Sequence, residues 1–125
     1  MATVLIVEDD EQVRVFAESY LRRHGHRTVS AETAEEALAV LERVNVDLLF
    51  SDIALHGDGF AGIRLARQAT RERPGIKVLY AGARELTDGV KSLLADRSAV
   101  LAKPYTVGQL RDVVTAQVAA GPHVD

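Results

Sequence analysis

Short apolar runs alternate with longer amphipathic segments five times along the chain. Most of the runs are continuously apolar, which is typical of strands that are buried on both faces of a parallel sheet. The second run is more polar and predicts a weaker strand. The five predicted strands are residues 4–7, 27–31, 48–52, 76–81 and 99–102.

The amphipathic segments carry apolar residues at three- and four-residue spacing, which predicts a helix after each strand. Thr33 followed by Glu36 is a capping-box pattern at the start of the second helix. Thr106 is expected to cap the last helix, and Gly25 is expected to end the first. The residues predicted to face the core are Val13, Phe16, Ala17, Tyr20 and Leu21, then Ala34, Ala37, Leu38 and Leu41, then Gly62, Leu65, Ala66 and Ala69, then Leu86, Val90, Leu93 and Leu94, and finally Val107, Leu110, Val114 and Val118.

Five strand–helix units in this order predict an α/β fold, in which helices cover both faces of a parallel five-stranded sheet. The helices and the sheet then form a three-layer sandwich, and ligands bind such sheets beyond the carboxyl ends of the strands. We expect one domain over residues 1–120, followed by a short frayed tail at residues 121–125. No linker or output domain is expected from the pattern.

Composition narrows the possible functions. The chain has 125 residues and no cysteine, which excludes disulfides, thiolate chemistry and cysteine-based zinc sites. No apolar run reaches 18 residues, so no membrane association is expected, and the absence of a signal-peptide pattern predicts a cytoplasmic protein. A net charge of −3 offers no overall attraction to nucleic acid, so we expect no direct nucleic-acid binding.

Charged residues follow three of the predicted strands at the edge where ligands bind. Glu8, Asp9 and Asp10 follow the first strand, Asp52 ends the third, and Lys103 follows the fifth. Clustered carboxylates raise one another's pKa unless a cation joins them, and oxygen ligands of this kind suit Mg²⁺. A carboxylate beside Mg²⁺ can attack phosphorus to give an acyl phosphate, while the metal and a lysine neutralise the phosphoryl oxygens.

Each of these features alone has an ordinary structural explanation. An acidic triplet after a strand commonly caps the next helix, and this is our interpretation of Asp10. An Asp at a strand end and a Lys-Pro pair are common in loops and turns. His56, in the loop near the site, is interpreted as a plain loop residue. The joint placement of the charged residues at one edge of the sheet favours a functional site.

Three segments give the chain a family resemblance. They resemble the signatures of the receiver domain of two-component response regulators, and they are Val7-Glu8-Asp9-Asp10, Ser51-Asp52-Ile53-Ala54-Leu55 and Lys103-Pro104-Tyr105. The spacings match as well, with 43 residues from Asp9 to Asp52 and 51 from Asp52 to Lys103. The resemblance covers essentially the whole chain and implies a flavodoxin-like (βα)5 fold with strand order 2-1-3-4-5.

The resemblance implies a role for each matching residue. Asp52 matches the phosphoacceptor, and Lys103 matches the lysine that contacts the phosphoryl group. Glu8 and Asp9 match the acidic pair, with Asp9 a direct metal ligand. The metal ligands would then be Glu8, Asp9, Asp52 and the backbone carbonyl of Ala54. The expected metal is Mg²⁺, for which Mn²⁺ can substitute. The peptide bond after the lysine is usually cis in this family.

Several positions depart from the family pattern. The hydroxyl residue expected at the end of the fourth strand is replaced by Gly82 and Ala83, and the aromatic residue of the fifth strand by Val100. His56 stands where the loop after the phosphoacceptor usually has proline, and Ala61-Gly62 stands in place of an Asp-Gly pair. These departures leave the phosphorylation chemistry intact. They predict activation without the usual coupled movement of a hydroxyl side chain and an aromatic side chain, which we call the relay.

The function that the resemblance implies is a phosphorylation switch. Asp52 would accept a phosphoryl group from a sensor histidine kinase or a histidine phosphotransfer protein, in a Mg²⁺-dependent reaction. The chain would assist its own phosphoryl transfer and dephosphorylation without being a dedicated enzyme. It would signal to a downstream protein through altered protein–protein contacts, as a monomer or weak dimer.

Three other functions compete with this one. A phosphorylation-independent interaction scaffold fits the missing switch residues, but it has no need to hold repelling carboxylates together. A phosphohydrolase of the haloacid dehalogenase type needs a second Asp two residues after its nucleophile, where this chain has Ala54. A flavodoxin needs a hydroxyl-rich phosphate loop after the first strand, where the acidic residues here would repel a phosphate.

Overall fold

The computed structural model describes residues 1–83 and 85–120. The tail expected at residues 121–125 lies outside the described residues. Strands and helices alternate in the order β1 (Thr3–Val7), α1 (Glu11–Arg23), β2 (Arg27–Ala31), α2 (Ala34–Arg43), β3 (Leu48–Asp52), α3 (Ala61–Glu72), β4 (Lys77–Gly82), α4 (Asp88–Lys91), β5 (Ala99–Ala102) and α5 (Val107–Ala119).

The five strands form one parallel sheet in the order β2-β1-β3-β4-β5. This confirms the predicted flavodoxin-like topology. In the centre of the sheet Leu5 pairs with Leu49, and at the carboxyl end of β3 Asp52 pairs with Ala81. Because all strands run in the same direction, the loops after β1, β3 and β5 open on one edge of the sheet.

Each face of the sheet is covered by its own apolar layer. Leu5 and Val7 on β1 pack in the layer that contains α2 and α3 residues. Val4 and Ile6 pack in the layer that contains α1 and α5 residues. Since successive side chains of a strand point to opposite faces, burial of both faces explains why the run in β1 is continuously apolar.

Helix α4 is shorter than the sequence predicts. The pattern indicated a helix reaching Leu94, but α4 ends at Lys91. The amides of Leu93 and Leu94 bond to carbonyls three residues back, at Val90 and Lys91, so the last turn tightens instead of continuing as an α-helix. Both leucines still pack against the core from this turn.

Two predicted core residues lie on the surface instead. Phe16 is 45% exposed and Val107 is 40% exposed. The buried residues of α1 are Ala17 and Leu21, so Phe16 lies at the border of the apolar face of this helix. In α2 the pattern overlooked Val40, which is buried with its neighbours.

Helix ends follow the predicted local chemistry in most cases. Gly25, which follows the C-cap residue His24 of α1, adopts a φ of 87°. Thr106 caps α5 in a complete capping box with Gln109. At α2 the Thr33 hydroxyl accepts the amide of Glu36, but the Glu36 carboxylate accepts the amide of Glu32 rather than that of Thr33. The predicted capping box of α2 is therefore only half formed.

Candidate functional site

The charged residues singled out in the sequence lie together at the carboxyl edge of the sheet. One carboxylate oxygen from each of Glu8, Asp9 and Asp52 lies within 4.8 Å of the other two. Glu8 and Asp9 follow β1, and Asp52 is the last residue of β3. Adjacent strands β1 and β3 therefore bring three carboxylates to one point, as predicted.

Lys103 provides the positive charge of this cluster. Its Nζ lies 2.7 Å from Glu8 Oε1 and 2.9 Å from Asp52 Oδ1. Burial by itself would lower the pKa of Lys103, but the hydrogen bonds to Glu8 and Asp52 raise it overall. The Lys103 amide donates to the Gly82 carbonyl at 2.8 Å, and the Lys103–Pro104 bond is cis, as the resemblance implied.

Glu8 is held in place by several hydrogen bonds. Its side chain is almost completely buried, with the residue 4% exposed. The Glu8 carbonyl accepts the Arg14 guanidinium at 2.9 Å, and Oε2 accepts the Asp10 amide at 3.2 Å. Asp10 itself caps α1 by accepting the amides of Gln12 and Val13, which confirms its interpretation as a helix cap.

Asp52, like Glu8, is a buried acid that faces Lys103. The residue is 5% exposed. Burial raises the pKa of the Asp52 carboxyl to about 8, the neighbouring Glu8 adds to the rise, and the hydrogen bond from Lys103 opposes it. With all three carboxylates ionised, the cluster would carry more negative charge than Lys103 alone can balance, and a cation bound among the carboxylates would relieve this repulsion.

The pKa of Asp9 shifts in the opposite direction from that of Asp52. Its Oδ2 accepts the backbone amide of His56 at 2.7 Å. This hydrogen bond lowers the pKa of Asp9 and outweighs the opposing effect of burial. The expectation that clustering raises each carboxyl pKa is therefore wrong for Asp9, because a donor 47 positions away along the chain stabilises its charged form.

The first turn of α3 packs directly on the backbone of Asp52. The Gly62 amide donates to the Ile53 carbonyl at 2.8 Å. A Cβ at Gly62 would lie 1.8 Å from the Asp52 carbonyl oxygen, which leaves room only for glycine. The sequence analysis placed Gly62 on a core-facing stripe and missed this contact. A glycine inside a helical pattern was the available signal.

The positions at which the resemblance places switch residues lie on β4 and β5. Gly82 ends β4, and a Cβ there would lie 2.7 Å from Ile53 Cδ1. Val100 is 37% exposed on β5 and pairs in register with Tyr80. Tyr80 is fully buried, and its hydroxyl accepts the Ala95 amide at 3.0 Å. The aromatic side chain in this part of the sheet is thus on β4 and already hydrogen-bonded.

The donor set of the cluster suits a hard divalent cation. Three carboxylates supply oxygen donors only, which Mg²⁺ prefers over softer ligands. Ala54, the predicted carbonyl ligand, lies in the exposed loop that begins after β3. Two histidines contact other groups: His24 Nδ1 lies 3.0 Å from the Tyr20 carbonyl, and His26 Nδ1 accepts the Ala2 amide at 3.2 Å. Within the described part of the chain, none of the helices is long and apolar enough to cross a membrane.

Comparison with known proteins identifies relatives of this chain. The family model described as response regulator receiver domain matches residues 4–115. The KDP operon transcriptional regulatory protein KdpE of Escherichia coli is 34% identical over 113 residues, which are 89% of this chain and 48% of the relative. The sensor kinase CckA of Brucella abortus is 30% identical over 116 residues, which are 90% of this chain and 12% of the relative.

A solved structure shows the same fold. The crystal structure of a response regulator receiver protein from Sinorhizobium medicae superposes with a TM-score of 0.85, over 95% of each chain at 23% identity. The two curated relatives are longer proteins, of which this chain spans about half or less.

Proposed function

The chain belongs to the response regulator receiver domain family, and on that premise we propose that it accepts a phosphoryl group on the Asp52 carboxylate in a Mg²⁺-dependent reaction. The observation that carries this proposal is the convergence of Glu8, Asp9 and Asp52 with the Lys103 ammonium at one edge of the sheet. Asp52 is the only one of the three acids that ends a strand, and it is directly hydrogen-bonded to Lys103.

Phosphoryl transfer needs a nucleophile and positive charge around the phosphoryl oxygens. A carboxylate oxygen of Asp52 attacks phosphorus, a new P–O bond forms, and the P–N bond to a donor histidine breaks with its electron pair returning to the imidazole. The leaving imidazole takes its proton from solvent. Lys103 Nζ, now paired with Glu8 and Asp52, would donate to a phosphoryl oxygen.

The metal would be held by the carboxylates of Glu8, Asp9 and Asp52, with the Ala54 carbonyl as a backbone ligand. Bound Mg²⁺ supplies charge neutralisation for the phosphoryl group, and Mn²⁺ is expected to substitute. In its absence Asp52 tends to hold a proton, because burial raises its pKa to about 8. Cation binding would favour the ionised carboxylate that the reaction requires.

The expected phosphodonor is a sensor histidine kinase or a histidine phosphotransfer protein. In this proposal the chain is a cytoplasmic phosphoacceptor and not a dedicated enzyme, since it turns over only its own aspartyl phosphate. Its output is an altered contact with a downstream protein, without direct nucleic-acid binding. We expect a monomer or weak dimer.

Incubation with acetyl phosphate tests the proposal. In the presence of Mg²⁺ the intact mass should increase by one phosphoryl group, and hydroxylamine should remove it because acyl phosphates react with this nucleophile. Chelation of the metal should prevent labelling, since Glu8, Asp9 and Asp52 would again repel the incoming phosphoryl oxygens. Absence of any mass increase in Mg²⁺ would instead favour the phosphorylation-independent scaffold, which the substitutions at Gly82 and Val100 make the leading alternative.

The switch is expected to act on the loop after β4 rather than on β5. Gly82 and Ala83 have no hydroxyl to bond the phosphoryl group, and a missing hydrogen bond to a charged group forfeits roughly 1.5–3 kcal/mol of bias toward the active state. Backbone amides near Gly82 and the Lys103 ammonium must supply the remaining bias toward the active state. Addition of beryllofluoride with Mg²⁺ should therefore shift amide resonances most in residues 81–87, which comprise the end of β4 and the loop that follows it. Arg84 of this loop lies outside the described residues.

Beryllofluoride without Mg²⁺ is the control for this measurement and should leave the spectrum unchanged. The contrary result is a pattern in which the largest shifts centre on Val100 and the rest of β5, with residues 81–87 unmoved. That pattern would mean that the relay still passes through the fifth strand even though Val100 has no aromatic ring.

A further inference from the structure

The loop after Asp52 contains a tight turn that the family pattern does not predict. Leu55 and Asp58 exchange two backbone hydrogen bonds, of 3.1 and 2.9 Å. The two residues between them, His56 and Gly57, have φ values of 48° and 79°. Positive φ at both central residues is the signature of a type I′ hairpin turn. His56 occupies its first central position, where a non-glycine side chain is uncommon.

His56 connects this turn to two other loops at the carboxyl edge of the sheet, where Glu8, Asp9 and Asp52 lie together (the acidic edge). Its backbone amide donates to Asp9 Oδ2 at 2.7 Å, in the loop after β1. Its ring Nε2 lies 3.0 Å from the Glu32 carbonyl, in the loop after β2. Since a carbonyl oxygen only accepts, Nε2 must carry the proton. One residue therefore ties together the loops that follow β1, β2 and β3.

We propose that His56 is a positioning residue for the Asp9 carboxylate. Its ring, anchored to the Glu32 carbonyl, holds the turn where the His56 amide can orient Asp9 for metal binding. Carboxylates that bind metals are generally hydrogen-bonded by such neighbours, and loss of the neighbour weakens metal binding. The proline that the family pattern places here has no amide hydrogen and could not make the bond to Asp9. This inference rests on the proposed function, because it assigns Asp9 to the metal.

Two substitutions separate the ring contact from the turn. His56→Gln places an amide nitrogen close to where Nε2 now lies, so it can keep the bond to the Glu32 carbonyl. His56→Asn is too short to reach that carbonyl, although Asn adopts positive φ more readily than other non-glycine residues. Both variants keep the backbone amide. If Mg²⁺ binding depended only on the conformation of the turn, His56→Asn would bind Mg²⁺ at least as tightly as the wild-type chain.

Titration of the wild-type chain and both variants with Mg²⁺, monitored by calorimetry, tests the inference. His56→Asn should weaken Mg²⁺ binding by roughly tenfold, as expected for an outer-sphere hydrogen bond to a metal ligand. His56→Gln should bind close to the wild-type affinity. Urea unfolding of all three proteins should show that His56→Asn is folded as stably as the wild type, so weaker binding would not reflect unfolding.

A second readout uses no metal. In the metal-free protein the amide proton of residue 56 should resonate downfield because of its short bond to Asp9, and this shift should collapse in His56→Asn and persist in His56→Gln. Unchanged Mg²⁺ affinity in His56→Asn, or an unchanged amide shift, overturns the inference. If the wild-type chain bound no Mg²⁺, the proposed function would fail, and the metal-free amide shifts would still decide whether the ring positions Asp9.

Discussion

Replacing Asp52 by Asn is expected to abolish phosphoryl incorporation from acetyl phosphate completely. The amide keeps the size of the carboxyl group and can still accept the Lys103 hydrogen bond that now measures 2.9 Å. It supplies no anionic oxygen to attack phosphorus, and it also removes one of the three carboxylates that lie within 4.8 Å of one another at the proposed metal site. Intact-mass analysis of the Asp52→Asn variant in Mg²⁺ should show only the unmodified protein.

Asp112→Asn is the matched control. Asp112 is exposed on α5, outside the acidic cluster, and this variant should be labelled as completely as the wild-type chain. Full labelling of Asp52→Asn would show that another residue accepts the phosphoryl group, and it would remove Asp52 from its proposed role.

The same substitution is expected to change how stability depends on pH in the metal-free protein. The pKa of Asp52 is about 8 in the folded state and 3.8 as its ordinary value. Between about pH 4 and pH 8 the folded state therefore holds more protons at this group than the unfolded state, so its contribution to the free energy of unfolding falls as the pH rises. Asp52→Asn lacks this contribution. In EDTA the variant should gain stability relative to the wild-type chain between pH 5 and pH 8, as measured by urea unfolding.

Replacing Gly62 by Ala is expected to destabilise the protein by roughly 3 kcal/mol or more, at the upper end of the cost of overpacking. The added Cβ would lie 1.8 Å from the Asp52 carbonyl oxygen and 2.8 Å from its carbonyl carbon. These neighbours are backbone atoms of a central strand, so they cannot turn away as the end of a flexible side chain can. Urea unfolding measures the loss, and a displaced Asp52 should also reduce labelling by acetyl phosphate.

Gly108→Ala provides the comparison for Gly62→Ala, because Gly108 also lies in the first turn of a helix. A Cβ there meets nothing closer than 3.9 Å. Since alanine restricts the unfolded chain more than glycine does, Gly108→Ala should be neutral or stabilise the protein by up to about 1 kcal/mol. Equal stability of the Gly62→Ala and Gly108→Ala variants would show that α3 can move away from Asp52 at little cost.

Much of the fold could be predicted from local patterns in the sequence. The predicted bounds of β2, β3 and β5 agree with the structure, and Asp10 and Thr106 cap their helices as expected. These features depend on residues within a few positions of one another, so their signals lie in short stretches of sequence. The convergence of Asp9, Asp52 and Lys103 was also predictable, because parallel strands bring the residues after their carboxyl ends to one edge of the sheet.

The tertiary structure decided what depends on contacts between distant segments. It placed the His56 amide against Asp9, set the Gly62 backbone against Asp52, and left Phe16 on the surface. It also decided the direction of each carboxyl pKa shift, since burial raises the pKa of Asp52 and the His56 amide lowers that of Asp9. The sequence by itself determined which residues reach the acidic edge, because strand direction and spacing bring them there. Their distances, burial and hydrogen-bond partners were decided only by how the loops pack on one another, for which no periodic pattern exists in the chain.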